Sequence, residues 1–100
     1  MATLSKSTRR AAIAPRQIRA ISRVLSDPRR FQILQRIASQ SCAACVDLRA
    51  AFPITAATLS HHLKELESAG LVEITREGKF AHVAFQRDLW KAYLAELAKL

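Results

Sequence analysis

The sequence predicts a mainly α-helical domain that carries one small β-hairpin near its carboxyl end. Three observations lead there. Apolar residues recur at helical spacing through most of the chain. Between Val72 and Gln86 that spacing gives way to alternation around Glu77-Gly78. The helix just before the hairpin stops at Gly70, one of only two glycines in 100 residues.

Each element has its own signal. Pro15 can open a helix, and Ile18, Ile21, Val24 and Leu25 follow at helical spacing. Ser26-Asp27-Pro28 is a stop and a restart, with Asp27 as N-cap and Pro28 at the first helical position, where its missing N–H costs nothing. Phe31, Leu34, Ile37 and Ala38 give the second helix its expected apolar face. Ser39-Gln40-Ser41 loosens the chain before a short third helix, roughly Ala44 to Ala51. Phe52-Pro53 ends it, because a residue before proline avoids helical geometry.

Thr55 caps a fourth helix that runs to about Ala69. Val72 and Ile74 then alternate with Glu73 and Thr75, and Ala81, Val83 and Phe85 with His82, Ala84 and Gln86. The link Arg76-Glu77-Gly78-Lys79 fits a tight hairpin. Asp88 is expected to cap a final helix carrying Leu89, Trp90, Tyr93, Leu94, Leu97 and Leu100. That is more apolar surface than one small domain needs, so part of this helix is expected to be a dimer contact. The predicted order is α-α-α-α-β-β-α.

Half of the residues are apolar, enough for one small core. The formal charge of +8 is unevenly spread. Lys6, Arg9, Arg10, Arg16, Arg19 and Arg23 meet no acid before Asp27, whereas the rest of the chain is close to balanced. We therefore divide the chain into a basic arm over residues 1–14, its first dozen residues expected to be poorly ordered, and a folded domain over 15–100. No apolar run is long enough for a membrane span or a signal core. Two cysteines without a signal segment indicate a reducing, cytoplasmic setting. No cofactor is implied.

The fourth helix has two distinct faces. Residues placed 100° apart put Leu59, Leu63 and Leu66 in one stripe, the core face. Opposite lie Ala57, His61 and Lys64, flanked by Thr58, Ser60 and Glu65. His61 points outward, whereas His62 falls at the boundary and is expected to pack or bond locally. Thr55, Thr58 and Ser60 put short hydroxyls near the helix N-terminus, where free N–H groups can hold a phosphate. A small, polar outer face followed at once by a hairpin, in a basic chain, is the arrangement of a winged helix-turn-helix on DNA. In that reading His61, Ser60, Thr58 and small Ala57 meet base edges, while Lys64, Arg76, Lys79 and the arm arginines meet phosphates.

These residues also carry a family resemblance. Over roughly residues 18 to 98 the chain resembles the ArsR (arsenic-repressor-like) family of bacterial regulators. The likeness rests on Leu25-Ser-Asp-Pro-Arg-Arg-Phe-Gln-Ile-Leu34, on Thr58-Leu-Ser-His-His-Leu-Lys-Glu-Leu66 with Ala69-Gly-Leu-Val72, and on Arg76-Glu-Gly-Lys79. It implies a winged helix-turn-helix homodimer joined through the first and last helices. It also implies a repressor that binds an inverted-repeat operator in double-stranded DNA and releases it on a signal. The DNA-contacting positions carried over are Thr55, Ala56, Ala57, Thr58, Ser60 and His61. Many relatives have glutamine where this chain has Ala56.

The resemblance leaves the inducing signal open. Arsenite-sensing relatives carry Cys-x-Cys just before an Asp-Leu in the third helix. Here Asp47-Leu48 follows Ala44, Cys45 and Val46, so Cys42 and Cys45 are offset from those positions. Cys45 falls in register with Leu48 and Phe52 on the core face, where a thiol acts as a small hydrophobe. Cys42 extends that stripe or sits in the preceding loop. Sensing of a soft metal or oxidant by the pair is the other reading. A closed zinc site needs about four ligands, and the subunit has no further cysteine.

An enzyme is the least favoured class, since two glycines form no phosphate-cradling loop and the histidines have no evident nucleophile partner. RNA binding fits poorly with so few aromatics free to stack. The serious rival is a winged helix that recognises another protein.

Overall fold

The computed structural model describes residues 13–100. The ordering expected of the first dozen residues, and most of the 1–14 arm with them, lies outside the described residues. The elements are α1 Pro15–Leu25, α2 Pro28–Gln40, β1 Cys42–Ala44, α3 Cys45–Ala51, α4 Ala56–Ser68, β2 Val72–Glu77, β3 Phe80–Phe85 and α5 Arg87–Ala98. The five predicted helices and the hairpin are all present. One strand is added.

That strand, β1, turns the hairpin into a three-stranded antiparallel sheet ordered β1-β3-β2. It pairs Cys42 with Ala84, Ala43 with Val83 and Ala44 with His82. Ala43 and Val83 are both buried, so this pairing closes one wall of the core. Ser41 makes the turn from α2 with a positive φ of 66°, unusual for a residue with a Cβ. Helix α2 therefore runs through Ser39 and Gln40, which had read as a loosened segment.

Local signals set most helix ends. The Asp27 carboxylate accepts from the Arg29 N–H at 3.0 Å, capping α2 with Pro28 at its first position. The Thr55 hydroxyl accepts from the Thr58 N–H at 3.1 Å and caps α4. Phe52 adopts extended geometry before Pro53 and ends α3. At the far end of α4 the Gly70 N–H donates to the Glu67 carbonyl at 2.9 Å and the Leu71 N–H to the Leu66 carbonyl at 3.1 Å. This is the Schellman arrangement, and Gly70 at φ 86° supplies the left-handed residue it needs. Leu66 and Leu71, the two residues that the second of these bonds joins, are both fully buried in the same core. So the turn that stops α4 also aims β2.

Two expectations are corrected by packing. On α2 the inward face is Ile33, Leu34 and Ile37, whereas Phe31 is exposed. Asp88 does not cap α5: the helix begins one residue earlier at Arg87 with Gln86 at the N-cap, and Asp88 sits in the first turn. Gln86 is fixed there because its N–H donates to the Leu71 carbonyl at 2.8 Å while its own carbonyl accepts from Trp90.

The core gathers Ile21 and Val24 of α1, the α2 triad, Leu48 of α3, the α4 leucines, Leu71, Val72 and Val83. A hydrogen bond of 2.9 Å between Ser22 Oγ and Tyr93 Oη ties the first helix to the last. Beyond Tyr93, α5 leaves Leu94 and Leu97 exposed, while Leu100, expected on this helix, lies past its end at Ala98 and is exposed there. This is the apolar excess read from the sequence.

Candidate nucleic-acid interface

Helix α4 turns Leu59, Leu63 and Leu66 into the core, each at most 4% exposed. Burying each of these side chains is worth roughly 1.5–3 kcal/mol, which locks the helix about its axis. With that face fixed, Thr55, Ala56, Ala57, Thr58, Ser60, His61 and Lys64 are all left exposed. Arg76 and Lys79 are exposed as well, at the end of β2 and in the hairpin loop.

The hairpin loop is short. Glu77 pairs with Phe80, leaving Gly78 and Lys79 as the two connecting residues. Gly78 takes φ 61° at the first central position and Lys79 has no positive φ, a pattern suited to the twist of the strands. The tip therefore presents Lys79 on a rigid turn. Glu67 further ties the wing to the helix, its carboxylate accepting from the Ile74 N–H at 3.3 Å.

Between α3, α4 and the wing lies a cleft of about 270 Å³. Of the expected site residues it brings together Ala56, Ser60, Lys64, Arg76 and Lys79, and Cys45 beside them. Thr55 and Thr58 are held to each other at the helix start by a 2.9 Å hydroxyl bond. Two further lining residues, Arg49 and His82, were not singled out from the sequence for this site. His82 stands 37 residues after Cys45, and the pairing of Ala44 with His82 brings it to the same cleft. Only the existence of β1 could have signalled that.

The two histidines of α4 differ as expected. His61 is exposed, whereas His62 is buried beneath the start of α2. Arg30 Nε donates to His62 Nδ1 at 3.3 Å, which requires the neutral imidazole with Nδ1 as acceptor. Asp27 Oδ2 lies 3.9 Å from the same nitrogen. Burial lowers the His62 pKa below its ordinary 6.5; Asp27 opposes this, and Arg30, His61 and Arg29 reinforce it. The unfolded chain therefore binds this proton more readily than the folded one. His62 costs nothing above pH 6.5, and stability is lost as pH falls from there through the lower folded value. The melting temperature should drop more between pH 7.5 and 5 in the wild type than in His62→Gln, which equal slopes would contradict.

Cys42 is exposed on β1 and Cys45 half-buried at the start of α3, both as free thiols. Cys42 thus sits in a strand, and neither extends the α3 stripe nor lies in a loop. Cys45 packs against the core, with Leu48 fully buried one turn on. Burial raises the Cys45 pKa, and Arg76 acts in the opposite sense. Among the described residues no group of three or more His, Cys, Asp or Glu side chains could hold a metal ion. Nor is any described helix long and apolar enough to cross a membrane.

Residues 25–75, spanning α2 to β2, match the family of helix-turn-helix domains. The chain belongs to the ArsR-type helix-turn-helix family. Within it, the chain is 38% identical over 63 residues to the arsenical resistance operon repressor of Staphylococcus xylosus. That match covers 63% of this chain and 60% of the repressor, so it spans less than two thirds of that relative. A crystal structure of an ArsR family transcriptional regulator superposes with a TM-score of 0.78 at 27% identity, covering 88% of this chain and 90% of the other. The homodimeric winged helix-turn-helix DNA-binding domain of a possible ArsR-family regulator from Mycobacterium bovis gives a TM-score of 0.68 at 27% identity, with 88% of each chain covered. In this ArsR-type chain the helix-turn-helix is α3, the turn 52–55 and α4, with β2 and β3 as the wing.

Proposed function

We propose that this ArsR-type protein is a sequence-specific regulator of transcription, a dimeric repressor bound to an inverted-repeat operator in double-stranded DNA. The supporting observation is the outer face of α4: small, polar and cationic, held rigidly by its buried leucines, with the basic wing beside it. Ser60, His61, Thr58 and Ala57 are the groups placed for base edges. Thr55 and the first N–H groups of α4 suit a phosphate, as do Lys64, Arg76 and Lys79. Arg16, Arg19 and Arg23 of α1 add to the phosphate-binding charge. Two free thiols suit a reducing, cytoplasmic setting.

Dimerisation through the first and last helices is supported by exposed Leu94 and Leu97 on α5 and by the homodimeric M. bovis relative. A two-fold dimer presents one α4 to each of two major grooves about 34 Å apart. Leu94→Glu with Leu97→Glu should yield a folded monomer with much weaker DNA binding. A dimer of unchanged affinity in sedimentation would place the interface elsewhere.

The experiment is binding to the DNA upstream of the protein's own gene, with competitor DNA and a salt series. Saturable binding by a dimer that resists competitor supports the regulator. Affinity equal to that for competitor leaves two readings, an operator elsewhere or the protein-recognising winged helix. His61→Ala should then cut the ratio of operator to random-DNA affinity by about tenfold or more, the worth of a base contact. An unchanged ratio would remove His61 from the reading face.

A further inference from the structure

The cleft between α3, α4 and the wing has a composition that phosphate binding alone does not explain. Among the described residues four cationic side chains line it, Arg49, Lys64, Arg76 and Lys79, and no carboxylate does. Yet its walls are apolar, with the buried leucines of α4 at its floor, and Val46 and Phe80 border it while 66% and 61% exposed. A DNA backbone gains nothing from an exposed phenylalanine and valine. Large apolar side chains left in water beside a cationic rim instead suit a molecule with both an apolar body and a negative charge.

We propose that this cleft is a binding site for a small amphipathic organic anion, an aryl or medium-chain carboxylate. Its apolar body packs between Val46 and Phe80, and its carboxylate pairs with Lys64, Arg76 and Arg49. A volume of about 270 Å³ admits a body of two fused rings or a short alkyl chain. Lys64 and Arg76 cannot serve the carboxylate and a DNA phosphate at once, so occupancy and DNA binding are mutually exclusive. The anion then acts as an inducer at the DNA-facing surface and uses neither thiol. The competition rests on the DNA-binding reading of α4 and the wing; the binding itself does not.

Titration of the full 15N-labelled chain with 2-naphthoate and with octanoate, without DNA, tests the site. Both should bind more tightly than about 1 mM and shift the amide resonances of Val46, Ser60, Lys64 and Phe80. The neutral isostere 2-naphthalenemethanol should bind about tenfold or more weakly, for want of the charge-assisted bonds. Phe80→Ser, or Val46→Ser if the first is poorly folded, should weaken 2-naphthoate by about tenfold and leave affinity for a random duplex within about twofold. Failure of both carboxylates to bind, shifts confined to α5, or equal shifts from inorganic phosphate would each overturn the proposal. In a separate arm, saturating 2-naphthoate should release a labelled duplex at low salt. A protein that binds the carboxylates but never binds DNA would end the regulator reading and leave the site standing. A duplex that stays bound beside the ligand would end the competition.

Discussion

Replacing Lys64, Arg76 and Lys79 together by alanine should flatten the salt dependence of DNA binding by about five units in log–log slope. In the proposed dimer the substitutions remove six phosphate contacts, each worth roughly 0.9 in that slope. Over a fourfold rise in salt the wild type should then lose roughly 10³-fold more affinity than the variant. Specific and random duplexes should weaken together, because a phosphate carries no sequence information. Fold damage is not the cause, since all three side chains are exposed and such changes rarely move stability by more than about 0.5 kcal/mol. Melting curves should therefore superpose. Unchanged salt slopes would place the backbone contacts elsewhere on the molecule.

Leu66→Ala should have the largest effect on stability, about 3 kcal/mol within the 2–5 expected for a buried leucine. Leu66 is fully buried in the core at the Schellman turn, so its loss leaves a void where α4 hands over to β2. A domain of this size holds only about 5–15 kcal/mol in total. A fall in melting temperature of roughly 15 °C follows for a chain of this length. Ser68→Ala, two residues on and exposed, should change it by little. If the two variants melted alike, the packing described for α4 would be wrong.

The most legible part of the sequence was α4. Thr55, the leucine stripe and Gly70 all act within a few residues of where they stand, so their consequences can be read without the rest of the fold. The inequality of His61 and His62 followed from the same helical arithmetic. What escaped were features set at a distance. Cys42-Ala43-Ala44 has no large alternating side chains, and it becomes a strand only because β3 offers a free edge to it. Without β1, the approach of His82 to the cleft beside Cys45 could not be inferred. The α2 face was misjudged for a related reason: Phe31 and Ile33 lie on either side of Leu34 on the helix, and the elements packed on α2, namely α1, β1, β3 and α4, decide which is covered. Asp88 looked like a cap because it precedes an apolar run, but the Gln86–Leu71 bond starts the helix earlier.

Enrichment of bound sequences from a random duplex pool by the full chain under reducing conditions bears most directly on α4 as a reader of DNA. The expected outcome is an inverted repeat whose half-sites lie one helical turn apart, enriched by the wild type and lost or broadened with His61→Ala. A pool that stays random through repeated rounds, while the dimer remains folded, would contradict it.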